Sequence, residues 1–464
     1  MSISKIKPED IGLLVRMFHL SKEVVVYDPK SSVESCTMAI VRDIATLLKE
    51  SNSYEVCVNL SGKKLEFLPF NYILEFTQHV NQYKSFYCER FMAINNPDGS
   101  IRWLQPEDSE RADFLSLYNG SGFKALLFKA VVKLAFYAGF KRAISSGFVC
   151  LYSKEEQYVQ KRFGHKTFAL FTGTVGKNRK AVAAICNRGY ATHFIKIPIS
   201  TTARSLIHSE HTHLEIINGY DFDRLIVPVS KMTISGLQLT NIRPQKAFST
   251  GFITSLHLKA LKDLYASTCQ IKMLSDMDVF QKTSSRLSEI QRIKKHKKIT
   301  HIPEDKINRL LYNIKVLIAG FDEKQLIPVA YAHGDFTPWN MFVSENNIHL
   351  YDWELAMSEQ ILLYDAFHFI FQSGVLIAHQ SFDQINEKIK ELKINEEVID
   401  ILERYKLDFR DCYCWYLVHN CSYYLNLYIQ QENLHIQAFW LLDCWIDATT
   451  DAIKAGQLKV SVVG

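Results

Sequence analysis

The sequence predicts an α+β fold in three parts: a separate α/β N-terminal region over residues 1–155, a small lobe built on an antiparallel sheet over 160–242, and a helical large lobe over 243–464. Three observations predict it. Residues 168–199 alternate apolar runs with glycine-containing turns, the pattern of antiparallel hairpins. Residues 329–354 set polar clusters at the ends of two short apolar runs of strand type. From about Ile361 onward the chain is helical in periodicity and rich in aromatics. Length agrees: 464 residues make two to three domains at about 150 residues each. Apolar residues at 47% and charged residues at 22% exclude a disordered chain, a collagen-like repeat and a coiled-coil rod. A net charge of +5 over this length is too dilute to imply nucleic acid.

In the N-terminal region, Glu23–Pro29 and Tyr54–Leu60 read as buried strands, and Met38–Glu50 between them has helical periodicity. Phe91–Pro106 reads as a hairpin turning at Pro97-Asp98-Gly99, since proline presets φ and glycine accepts a positive one. Phe123–Phe140 reads as an amphipathic helix, with Ser121 of the Gly-rich stretch Asn119–Lys124 as its N-cap. The apolar stretch Ala125–Phe140 carries Lys129 and Lys133 and is shorter than the roughly 20 residues a bilayer span needs. The first residues, MSISKIKPEDIG, hold charges where a secretory signal is apolar, so a cytoplasmic protein is expected. No catalytic signature stands out before residue 155.

In the middle of the chain, two strands flank Gly173 and Gly176, and Gly189 marks the next turn. The third strand, Thr192–Ser200, contains Lys196. A helix over about Ala203–Ile217 follows, then strands near Arg224–Val229 and Ile234–Asn241, and helices from about Gly251.

The stretch Val329–Glu354, VAYAHGDFTPWNMFVSENNIHLYDWE, carries the chemistry. Its first apolar run, Val329–Ala332, delivers His333, Asp335 and then Asn340. Its second, Ile348–Tyr351, delivers Asp352, with a turn at Ser344–Asn347 between strands. Two carboxylates and a carboxamide therefore meet at one mouth. Such oxygen ligands suit Mg²⁺, and a carboxylate beside the metal can accept a proton from an attacking hydroxyl. These are the parts of phosphoryl transfer.

HGDFTPWN followed by YDWE resembles the signature of aminoglycoside phosphotransferase and choline-kinase-like enzymes, which share the protein-kinase fold. The resemblance implies Asp335 as catalytic base, His333 as a brace of the loop, and Asn340 and Asp352 as Mg²⁺ ligands. It implies Gly173, Thr174 and Gly176 in the hairpin over the phosphates, Lys196 on the α/β-phosphates, and Glu210 paired to Lys196. Glu215 competes for that role, because 210 and 215 lie some 140° apart on a helix and only one can face Lys196. Leu239–Ile242, with Thr240, Asn241 and Ile242, would meet the adenine edge, and Asp365 matches a structural aspartate. ATP and Mg²⁺ are the implied cofactors, with ATP between the lobes. A small-molecule hydroxyl, preferably of a sugar or saccharide precursor, is the implied acceptor. The resemblance covers about 165–375 and departs in having Gly-x-x-Gly in the hairpin; Lys177, Arg179 and Lys180 crowd that turn.

Rival readings are weaker. His208, His211 and His213 cannot share one helical face, and no HExxH is present. Cys412, Cys414 and Cys421 read as buried free thiols, and the basic run RIKKHKK as a solvated helix face. A nucleotide-independent scaffold acting through the N-terminal region and the aromatic C-terminal helices is the alternative function.

Overall fold

A computed structural model describes residues 8–18, 20, 38–41, 56–59, 64, 70–77, 81–118, 120, 123–164, 167–173, 178–248, 250–297, 299–431 and 434–463. The chain divides into two compact units. One holds residues 1–211 with 229–241, and the other 212–228 with 242–464. The end of the helix that carries Glu210 and the strand after it belong to the second unit.

Among the described residues, the first unit is built on one sheet of 11 strands. Its strands are β1 Met38–Val41, β2 Val56–Asn59, β3 Tyr72–Phe76, β4 Tyr87–Asn95, β5 Ile101–Pro106, β6 Gly147–Ser153, β7 Thr167–Phe171, β8 Lys180–Asn187 and β9 Tyr190–Pro198, joined later in the chain by β11 Ser230–Thr233 and β12 Gly236–Thr240. The order is β1-β2-β3-β6-β4-β5-β7-β8-β9-β12-β11. β1, β2 and β3 run parallel. The rest alternate antiparallel, and the β4–β5 hairpin turns at Gly99, whose φ is +86°. Asp98 accepts from the Ser100 amide at 3.0 Å, which closes that turn.

Two expectations are corrected here. Met38–Val41 is a strand rather than the start of a helix: as a short apolar run it is ambiguous by periodicity, and the edge of β2 decides it. The expected strand at Glu23–Pro29 and the Ser121 cap lie outside the described residues. The N-terminal region is also not separate. β5 pairs with β7 through Trp103↔Phe171 and Leu104↔Leu170, so the sheet crosses the expected boundary at 155–160 without a break. One apolar core runs through it, from Leu14 of helix α1 (Pro8–Met17) and Phe18 just after it, through Val58, Leu74, Phe91 and Val149, to Leu170, Ala183, Ile195 and Ile197. The physical reason is edge satisfaction: β7 needs a partner on its outer side, and β5 supplies it.

Helix α2 (Phe123–Tyr137) packs Val132 and Phe136 on Trp103 of the sheet and on Phe114 of the helical turn Asp113–Leu117. It is not amphipathic in the expected sense, since its outward face is apolar as well. Helix α3 (Tyr158–Arg162) leads into β7, and α4 (Thr201–Ile217) follows β9.

The second unit is mainly helical: α5 Ser255–Thr268, α6 Asp278–His296, α7 Glu304–Ile318, α8 Tyr364–Gln372, α9 Phe382–Lys393, α10 Glu396–Tyr405, α11 Phe409–Ile429 and α12 Ile436–Val463. The aromatic helix α11 packs against α6 and α7, with Trp415 and Tyr416 fully buried. Cys412, Cys414 and Cys421 are free and buried, as expected, and burial pushes the Cys414 thiol up to about 11. Two small sheets complete the unit. β13 (Gln270–Met273), β14 (Leu326–Ala332) and β17 (Met357–Ile361) form one, and β10 (Leu225–Ile226), β15 (Met341–Val343) and β16 (Ile348–Leu350) the other. The two apolar runs of the motif, β14 and β16, thus sit in different sheets. The turn at Ser344–Asn347 joins β15 to β16, with the Ser344 amide donating to Asn347 O at 2.9 Å.

An antiparallel sheet, a helix carrying Glu210, the hairpin of β11 and β12, and then a helical unit containing the HGD loop follow one another, an α+β order that agrees with the one expected from the sequence.

Candidate active site

In the first unit, Lys196 lies mid-strand on β9, opposite Val182 of β8 and Leu237 of β12. Its Nζ donates to both oxygens of Glu210 at 2.7 Å. The lysine side chain is 14% exposed and the glutamate fully buried. Glu215 is exposed, so the choice between 210 and 215 falls to Glu210. Breaking such a buried pair from one side costs about 3–5 kcal/mol, because the other charge is left uncompensated. Gly236 lets β12 approach this strand: its φ is +136°, and a Cβ there would stand 2.1 Å from Lys196 O. Gly173, with φ +77°, makes a similar approach to Lys180 O at the base of the hairpin. Thr174 and Gly176 lie outside the described residues. Thr240 and Asn241 are at the end of β12. Their amides donate to Val229 O and Thr192 O, and the Asn241 side chain donates to Ala191 O at 2.7 Å.

In the second unit, Ile242 has backbone hydrogen bonds with His349 and Tyr351. β14 leads straight into His333, which is fully buried. His333 Nε2 faces Tyr351 O at 2.6 Å, and a carbonyl can only accept, so Nε2 carries the proton. Its Nδ1 accepts from the Asp335 amide at 3.3 Å. The imidazole thus ties the loop after β14 to the end of β16, and Trp353 packs edge-on against it at 5.0 Å. Gly334 is required by its place: φ is +80°, and a Cβ would lie 2.1 Å from Leu355 O. Asp365, in the first turn of α8, receives the amides of His333 at 2.7 Å and Gly334 at 3.0 Å. Burial raises its pKa, and His333 and these two amides work against that rise.

The loop presents Asp335 with its side chain 25% exposed. Asn340 Nδ2 donates to Asp335 Oδ2 at 2.8 Å and to its backbone carbonyl at 3.0 Å. The amide nitrogen being so used, Asn340 Oδ1 is the atom left for a hard cation. Asp352 stands at the start of the following turn with φ +62°, a left-handed conformation that aspartate tolerates better than most residues. Carboxylate and carboxamide oxygens are the donor set Mg²⁺ takes, so these residues fit the ion the sequence implies.

One residue was invisible in the motif. His368 of α8, fully buried, reaches Asp335 Oδ1 through Nε2 at 3.2 Å and stacks on Tyr364 at 6.0 Å. Its position three residues after Asp365 puts both on one helix face, the only sequence signal available. Burial, and after it charges that include Asp335, raises the phenols of Tyr364, Tyr423 and Tyr424. The histidines 208, 211 and 213 form no ligand set among the described residues; His211 meets Ser230 and His213 meets Tyr331.

No family model matches the sequence, and no curated protein matches it. Among solved structures, the chain is similar to an ethanolamine kinase of Plasmodium vivax, at 11% identity over 72% of this chain and 89% of that one, with a TM-score of 0.41. It is also similar to the ADP-bound aminoglycoside phosphotransferase APH(2'')-Ib, at 11% identity over 63% and 97%, with a TM-score of 0.38. A choline/ethanolamine kinase family protein from Mesorhizobium loti is similar at 12% identity over 59% and 89%, with a TM-score of 0.37.

Proposed function

We propose that the chain is a kinase that moves the γ-phosphoryl group of ATP to a hydroxyl of a small molecule, a sugar or saccharide precursor. The observation that carries this reading is Asp335: a partly exposed carboxylate held on one side by Asn340 and on the other by His368. So held, it can take the proton of an acceptor hydroxyl as the oxygen–phosphorus bond forms and the bond to the leaving diphosphate breaks. Lys196, fixed by Glu210, is the cation for the α/β-phosphates. Asn340 Oδ1 and Asp352 would hold a divalent cation, which supplies charge neutralisation for the polyphosphate. The phenols near Asp335 suit the apolar face of a sugar ring. A cytoplasmic location, where nucleoside triphosphates are made, goes with this reading. A scaffold presenting the aromatic C-terminal helix is not favoured, since Trp415 and Tyr416 lie inside.

Thermal unfolding with ATP, GTP and ADP, with and without Mg²⁺, tests the site. Ligand at 100 Kd stabilises by about 2.7 kcal/mol. The expected result is an Mg-dependent shift, lost in Asp352→Asn and Lys196→Met. With an acceptor from a panel of sugars and amino alcohols, Asp335→Asn should lower kcat by about 10²–10⁴-fold while the nucleotide-induced shift survives. A folded protein that shifts with no nucleotide would overturn the proposal.

A further inference from the structure

Helix α2 has two faces, and the fold uses one. Ala125, Val132 and Phe136 are buried, the last two in one cluster with Trp103 of the sheet. The opposite side carries Phe123, Leu127, Ala130, Leu134 and Tyr137, spaced three and four apart and so in one outward stripe. Leu126 and Val131 border it, and Phe140 follows just beyond the helix. These side chains are open to solvent: Phe123 is 81% exposed, Leu134 65% and Tyr137 91%. A monomeric protein rarely leaves so many large apolar side chains together without a use for them.

The charges around the stripe say what covers it. At about 100° per residue, Lys133 flanks the stripe on one side and Lys124 on the other, both exposed. From Phe123 to Ala143 there is no acidic residue. A second copy of this helix would set these lysines against lysines, which costs rather than gains. An anionic bilayer surface answers both features. The apolar stripe enters the acyl boundary, and the flanking lysines reach back to the headgroups along their own apolar stems. Tyr137 and Phe140 at the helix end are the aromatic type that sits at headgroup level. A cavity of about 700 Å³ beside that end is lined by Arg111, Lys133, Lys141 and Arg188, with Glu110 and Asp113. Its basic excess matches the sign of the helix.

We infer that α2 is a membrane-surface helix, lying in the plane of a bilayer that contains anionic lipid. This does not depend on the kinase reading: it stands on the first unit alone.

Vesicle flotation of the full-length protein is the test, with phosphatidylcholine vesicles and with phosphatidylcholine–phosphatidylglycerol vesicles. Wild type should float with the anionic vesicles and release at high salt. Leu127→Asp/Leu134→Asp should abolish flotation. Lys124→Gln/Lys133→Gln should weaken the partition by about fivefold per lysine removed. All four positions are exposed, so both variants should keep the wild-type unfolding temperature. Absence of flotation, or flotation unchanged by both pairs, overturns the inference. So does a self-association in analytical ultracentrifugation that Leu127→Asp/Leu134→Asp removes while no vesicle is bound; the stripe would then belong to a second copy.

Discussion

In the proposed reaction, His368 would aim the base. Asp335 is a short side chain on a loop, and a carboxylate free to rotate would seldom meet an acceptor hydroxyl in line. Asn340 fixes one oxygen and His368 Nε2 the other. His368 is itself held flat by Tyr364. It touches no reacting atom in the proposed chemistry, so it is a positioning residue. His368→Ala should lower kcat by about 10–100-fold, the usual scale for a partner behind a reactive group, with the nucleotide KM little changed. His368→Gln, which keeps an N–H at similar reach, should restore much of the rate. A fall in thermal stability that tracks the loss of rate in both variants would mean the residue only supports the core.

At the scale of one element, α5 makes the fold sensitive to acid. Its capping box uses His257 at the third position. The imidazole Nδ1 accepts from the Thr254 amide at 3.1 Å, and the ring is fully buried. An acceptor nitrogen cannot carry a proton, and a helix N-terminus disfavours positive charge. Burial holds the pKa down to about 4, against 6.5 for a free histidine. The unfolded chain therefore binds the proton more readily than the native one. Stability is full above pH 6.5 and falls as pH drops from 6.5 towards 4, by about 3 kcal/mol at most for this group. Buried His419, whose pKa is also held down, adds to the same slope. His257→Gln keeps the box, since glutamine is a natural residue at that position. Unfolding temperatures measured at neutral and mildly acid pH should converge in this variant relative to wild type. An unchanged pH dependence would remove His257 from the account.

For the whole molecule, the continuous sheet has a consequence for truncation. Removing residues 1–157 strips β7 of its neighbour β5. It also takes away the Thr172 bonds to Ile101 O at 2.7 Å and Arg102 O at 3.0 Å, and removes more than half of the core that β8 and β9 share. Arg16 is bound to Ile199 O at the far end of β9, so the N-terminal helix is lost from that strand as well. A fragment of residues 158–464 should fail to give a cooperative melt by circular dichroism and should bind a hydrophobic dye. A sharp melt for that fragment would restore the N-terminal region as a domain of its own.

Read alone, the chain showed what short-range spacing controls. That Asp335 and Asn340 would meet was legible because both follow one short apolar run, and Gly99 because a turn needs its positive φ. The pairing of Lys196 was legible only as a choice between two glutamates, because helical phase separates 210 from 215 without saying which faces the sheet. Tertiary structure decided what depends on contacts distant in sequence. It chose Glu210, brought His368 to Asp335 across 33 residues, and turned Met38–Val41 into a strand by giving it an edge to pair with. It merged the N-terminal strands with the small-lobe sheet, because hydrogen bonds across strands leave no trace in periodicity. The outward stripe of α2 was likewise hidden. The helix read as amphipathic, with its apolar side inside, and only the placement of the sheet shows which apolar residues are left outside.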